Sequence, residues 1–189
     1  TSFHRTRKSG APVNSALGVL MSFDLPGVKP GSDIEILFKA VGFIVIQWGF
    51  AEQSLDLMVA NIFHSFDGHP LLKRRPQHLE PKIEFLEKCF AEIPELVQFR
   101  AESALLLPRF AAAGKKRNEL VHGAISEISI EDGAFMFLKV DVKPKEHHSI
   151  RSVFFAESDW PAFRKELLAL GRDGQTFAQR VWDNLKVRT

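Results

Sequence analysis

From residue 32 to residue 66, apolar side chains recur at intervals of three and four: Ile34, Leu37, Phe38, Val41, Val45, Trp48, Leu55, Met58, Val59 and Ile62. An α-helix gathers such positions onto one face. Ser32-Asp-Ile-Glu35 has the form of a capping box at its start, and Asp67-Gly68-His-Pro70 supplies turn chemistry at its end. A helix of about thirty residues with one apolar face needs other helices to cover it. That requirement narrows the fold to a helical bundle.

The rest of the sequence supplies the partners. Pro81 suits the first turn of a second helix, whose stripe is Ile83, Leu86, Cys89, Phe90 and Ile93 and which Pro94 closes. A third helix is predicted over residues 95–122, kinked or split at Pro108, with Phe110, Gly114, Asn118 and Val121 on one face. The pattern then changes. Glu127-Ile-Ser-Ile-Glu131 alternates with period two, Asp132-Gly133 is a hairpin turn, and residues 134–142 read as the return strand with Phe135 and Phe137 inside. A turn over residues 144–148 leads to a third strand at residues 150–155. The last helix starts at Ser158 or Asp159 and buries Trp160, Phe163, Leu167, Leu170, Phe177, Val181 and Leu185, with Gly171 and Gly174 weakening its middle. The predicted fold is therefore mainly α: a four-helix bundle with a small antiparallel β-meander, at about residues 124–155, inserted between helices 3 and 4. Residues 1–31 are rich in Gly, Pro, Ser and basic residues and read as a flexible or extended segment ahead of one domain at 32–189.

Composition excludes several classes. The chain of 189 residues is 45% hydrophobic and 25% charged, with a net charge of +2, so any basic surface must be local. A single cysteine, Cys89, rules out an internal disulfide and a paired-cysteine metal site, and fits a cytoplasmic setting. No uncharged apolar run reaches 18 residues, so no membrane-spanning helix is expected. The basic residues before the apolar stretch at 16–23 lack the small-x-small cleavage site of a signal peptide. His64, His69 and His78 fall in one region with Asp67, but their spacing matches no tight metal-ligand pattern, and no metal or cofactor is expected.

The chemistry concentrates in Lys115-Lys-Arg117-Asn118-Glu-Leu-Val-His122-Gly123. On a helix Asn118 and His122 are four residues apart and share a face, with Arg117 bordering it. Arginine pairs bidentately with phosphate oxygens, and histidine exchanges a proton near neutral pH. The same residues also suit a helix C-terminus on dipole grounds alone. Lys115 and Lys116 adjoin the motif as candidate nucleic-acid contacts, and Lys73, Arg74 and Arg75 form a second basic run. Glu52 falls on the apolar stripe of the first helix. A carboxylate there needs a partner, and Arg117 or His122 is the first expectation.

Arg117-Asn118-x-x-x-His122 resembles the arginine–histidine motif of the HEPN superfamily, including the polar residue that often follows the arginine. Trp48-x-x-x-Glu52 is similar to first-helix patterns of several HEPN-like families, and a motif closing the third helix matches their order. The resemblance covers residues 32–187 in outline. It implies a HEPN-like bundle acting as a metal-independent endoribonuclease, of the kind found in toxin and defence systems, that leaves a 2′,3′-cyclic phosphate. Arg117 would hold the scissile phosphate, His122 would transfer protons and Asn118 would position the substrate or the histidine; Glu52, through the pairing expected from its place on the apolar stripe, would support them. It also implies a homodimer with two motifs across a shared cleft, and an antitoxin-like protein as one kind of partner. Other members are non-catalytic nucleotide-binding or protein-interaction bundles, which stands as the alternative.

Overall fold

The computed structural model describes residues 33–65, 68–129, 134–141, 149–156 and 158–186. The segment at 1–31, the capping serine Ser32, the Asp132-Gly133 turn and the turn at 144–148 lie outside them. Four long helices make up most of the chain: α1 (Asp33–Ser65), α3 (Leu79–Glu92), α4 (Arg100–His122) and α5 (Asp159–Lys186). A single turn, α2 (Gly68–Leu71), follows α1. Three strands, β1 (Ala124–Ser129), β2 (Ala134–Asp141) and β3 (Ser149–Ala156), form an antiparallel sheet in the order β1-β2-β3 between α4 and α5.

α1 is the spine. Leu37, Ile44, Trp48, Ala51, Leu55, Met58, Val59 and Ile62 are buried, whereas Ile34, Phe38 and Val45 of the predicted stripe are exposed. The first half of α1 is apolar on nearly every side, so periodicity there could not choose the face that packing uses. By length and composition alone Ile34–Ser65 is apolar enough to cross a membrane, a feature that a search for uncharged runs does not reveal. Glu35, Lys39 and Glu52 interrupt every uncharged run and concealed this. A core helix and a signal sequence pass the same test; the most apolar stretch is only 22% buried, and the core part of α1 is its second half. α5 lies along α1 in the same direction: Arg164 stacks on Phe43, Gly171 faces Ala51 and Gly174 faces Ser54.

α3 buries the expected Ile83, Leu86, Cys89 and Phe90, and adds Phe85 and Lys82. The predicted third helix begins later than expected. Residues 95–99 instead form tight turns, with Leu96 N–H donating to Ile93 and Phe99 N–H to Leu96, which bury Leu96 before α4 starts. α4 then runs through Pro108 as one element. β1 starts three residues ahead of the predicted strand, directly after Gly123. Gly123 has φ of −79°, so it is not a left-handed cap. It is small because a Cβ there would lie 2.9 Å from the Cβ of Phe137.

β2 and β3 alternate as the sequence requires. Phe135, Phe137 and Phe155 face the helices, with Trp160 against Phe135 and Phe155, while Val140, Ile150 and Phe154 face outward. The same inward alternation carries on to Lys139 and Arg151, which pair directly across β2 and β3. Those two positions bring the sheet to the site.

Candidate functional site

Where α1, the start of α3, the C-terminal half of α4 and the inner face of the sheet meet, they enclose an open cleft of about 770 Å³. Trp48 and Glu52 of α1 form one wall, and Gln77, His78 and Glu80 form a second. Lys115, Arg117 and Asn118 of α4 stand with Lys139 and Arg151 of the sheet on the remaining sides.

Gly114 explains how α1 comes so close to α4. A Cβ at that position would fall 2.2 Å from Leu79 Cδ2 and 2.9 Å from Trp48 Cη2, so only glycine admits both side chains. The Trp48 ring also meets Phe110 edge-on, at a centroid distance of 6.5 Å. Its Nε1–H reaches the cleft side and donates to Glu52 Oε2 at 2.7 Å.

Glu52 has a different partner from the one expected. Its Oε1 accepts from Lys82 Nζ at 3.1 Å, and Lys82 also pairs with Asp56 at 2.7 Å. Neither Arg117 nor His122 takes that role. Lys82 is only 4% exposed. Burial by itself lowers the pKa of its ammonium, but the hydrogen bonds and charges of Asp56 and Glu52 outweigh burial and hold it above its ordinary value. Lys82 was not foreseen, because a lysine beside Ile83 reads as the polar border of an amphipathic helix.

The motif residues do come together. Arg117 Nη1 donates to Asn118 Oδ1 at 2.8 Å and lies 3.3 Å from His122 Nε2. Arginine can only donate, so the second contact needs a neutral imidazole with its proton on Nδ1. Arg117 Nε is buried and has no hydrogen-bond partner. A buried donor left in that state is uncommon. His122 sits exposed in the last turn of α4, outside the lining of the cleft but in contact with a residue that lines it.

The two lysines before the motif diverge. Lys115 lines the cleft. Lys116 instead places its ammonium 4.9 Å from the ring centre of Phe155 on β3 and 5.2 Å from that of Phe163 on α5, so it is a packing contact of the sheet and the last helix. Lys73, Arg74 and Arg75 are exposed in the loop before α3 and do not line the cleft. Lys139 and Arg151 were missed, although Phe135, Phe137, Lys139 and Arg151, Val153, Phe155 are inward positions of period two and gave the signal. Like charges directly opposed on one sheet face are destabilising. Glu119 relieves part of this cost by binding Arg151 Nη2 at 2.9 Å.

The walls thus carry four cationic side chains, Lys115, Arg117, Lys139 and Arg151, against two carboxylates, Glu52 and Glu80. Such a cleft attracts an anion. Among the described residues, no group of three His, Cys, Asp or Glu side chains is placed to hold a metal ion. No protein-family model matches the chain, and neither a curated protein nor a solved structure matches it.

Proposed function

We propose that the cleft binds an RNA phosphodiester and that Arg117 and His122 cleave it without metal, as in a HEPN-like endoribonuclease working as a homodimer. The observation that carries this is Arg117: one guanidinium in the cleft wall touches Asn118 and His122 and leaves a buried Nε–H unsatisfied. A phosphate meets that need bidentately, one oxygen accepting from Nε–H and a second from an Nη–H. Lys115 and the opposed Lys139 and Arg151 supply charge along the neighbouring backbone.

In this scheme Arg117 turns onto the phosphate and frees the Nε2 lone pair of His122. The imidazole takes the proton of the 2′-hydroxyl, whose oxygen attacks phosphorus. The bond from phosphorus to the 5′-oxygen breaks, and that oxygen leaves with a proton from solvent or from the second copy's histidine. The products are a 2′,3′-cyclic phosphate and a 5′-hydroxyl. Arg117 stabilises the charge that develops on the non-bridging oxygens.

One observation favours a second reading, a nucleotide-binding module without catalysis. His122 lies outside the cleft lining, with its Nε2 turned to Arg117. Incubation of RNA in excess EDTA separates the two. Cleavage by the wild type, lost in both His122→Ala and Arg117→Ala, supports the nuclease. Nucleotide binding lost in Arg117→Ala, with no cleavage by any form, supports the binding module.

A further inference from the structure

The cleft that carries Lys115, Arg117, Lys139 and Arg151 also carries a carboxylate that is held rather than free. Glu52 Oε2 accepts from Trp48 Nε1–H and Oε1 from Lys82 Nζ, which fixes the plane of the group. The Glu52 side chain is still 31% exposed, and it lines the cleft. Each carboxylate oxygen has a second lone pair to offer. The Trp48 ring that holds this carboxylate packs against Gly114 of α4, four residues before Asn118, and Glu52, Trp48 and Asn118 line the same cleft. Its charge also survives the local pairing, since Glu52 and Asp56 share the single cation of Lys82.

We infer that Glu52 is a base-reading residue, and that the cleft selects a nucleotide whose base presents two adjacent N–H donors, a guanine. This rests on the proposal that the Arg117 side of the cleft takes the phosphate. The chemistry is selective. The Watson–Crick edge of guanine offers N1–H and an N2 amino hydrogen side by side, a match for both oxygens of one carboxylate. Adenine and cytosine each set one acceptor beside their amino donor, and uracil flanks its N–H with two carbonyls. Each of these would turn a lone pair toward Glu52, and a buried polar mismatch of that kind is expensive. Gln77, on the neighbouring wall, donates one amide N–H to Arg75 O at 3.4 Å and keeps a second N–H to offer a guanine O6. The volume of about 770 Å³ lies within the range of small-molecule sites, about 300–1,000 Å³.

The test is equilibrium binding of dinucleotides whose 5′ sugar is deoxyribose, so that no 2′-hydroxyl is present and no cleavage is needed. The 5′ base is guanine, hypoxanthine or adenine. Hypoxanthine is guanine without the N2 amino group. The expected result is binding of the guanine form about tenfold or more tighter than the hypoxanthine form, since one charge-assisted hydrogen bond is lost. In Glu52→Gln that gap should close. Trp48→Phe, which keeps a ring but removes the bond to Oε2, should narrow it and serves if the Glu52 variant does not fold. Equal binding of guanine and hypoxanthine overturns the inference and leaves the phosphate cleft standing. A guanine preference that persists in both variants overturns the assignment to Glu52. No binding of any dinucleotide overturns this inference and the phosphate cleft together.

Discussion

Two glycines three residues apart on α5 should respond to alanine in opposite directions. From sequence, Gly171 and Gly174 are equivalent weak points in a helix, each costing about 1 kcal/mol relative to alanine. Their surroundings differ. A Cβ on Gly171 meets nothing closer than Ala51 N at 3.9 Å, an ordinary contact. Gly171→Ala should therefore gain about 0.5–1 kcal/mol. A Cβ on Gly174 would fall 2.4 Å from Ser54 Oγ and 2.8 Å from Phe110 Cζ. Ser54 is fully buried, and its hydroxyl donates to Ala51 O at 2.6 Å, so rotation away forfeits that bond. Overpacking of this kind costs about 1–3 kcal/mol and an orphaned buried hydroxyl about 1–3 kcal/mol. Set against the propensity gain, Gly174→Ala should lose about 2 kcal/mol. At about 2–4 °C per kcal/mol for a chain of this size, Tm should rise about 2 °C in the first variant and fall about 4–8 °C in the second. Urea unfolding followed by circular dichroism reads both. Ser54→Ala in the Gly174→Ala background should recover part of the loss. Equal stability of the two single variants would refute the close approach of α5 to α1 and α4.

Other expectations follow from buried groups. Burial, with a smaller push from Glu92, drives the Cys89 thiol up to about 12, so native protein at pH 8 should not react with a thiol reagent, whereas urea-unfolded protein should react promptly. Lys82→Met should cost roughly 1–3 kcal/mol at pH 7, less than for a fully buried pair because Glu52 and Asp56 still reach water. The folded pKa of Lys82 lies above its unfolded value of about 10.5, so the folded state binds more protons in the intervening window. The gap in stability between wild type and Lys82→Met should thus be complete below about pH 10.5 and shrink as pH rises through the folded value. A gap that instead widens with alkali would contradict the carboxylate pairing.

Much of this architecture is written in local patterns. Four long helices and a three-stranded meander follow from periodicities of 3.6 and 2, and Pro81 marks a helix start that the structure keeps. The motif was legible too, since Arg117, Asn118 and His122 are neighbours on one helix and need no tertiary knowledge to be brought together. What escaped depends on which elements meet. Glu52 could be singled out as an odd carboxylate on an apolar stripe, but its partner Lys82 lies thirty positions away on α3. Alternation along β2 and β3 turns Lys139 and Arg151 inward, but only the register of the two strands sets them opposite each other. Lys116 and Lys115 are adjacent in sequence, yet one stacks on Phe155 and Phe163 while the other faces the cleft, a split decided by how the sheet and α5 pack on α4.

The most direct test of the cleft as a ribonuclease site compares two RNAs in excess EDTA, identical except for a single 2′-deoxy nucleotide at the mapped cleavage position. Purified wild-type chain should cut the all-ribose strand to a 2′,3′-cyclic phosphate and a 5′-hydroxyl and leave the substituted strand intact there, while His122→Ala cuts neither. Cleavage of the deoxy-substituted strand at that position, or undiminished cleavage by His122→Ala, would contradict attack by the 2′-hydroxyl with His122 as its base.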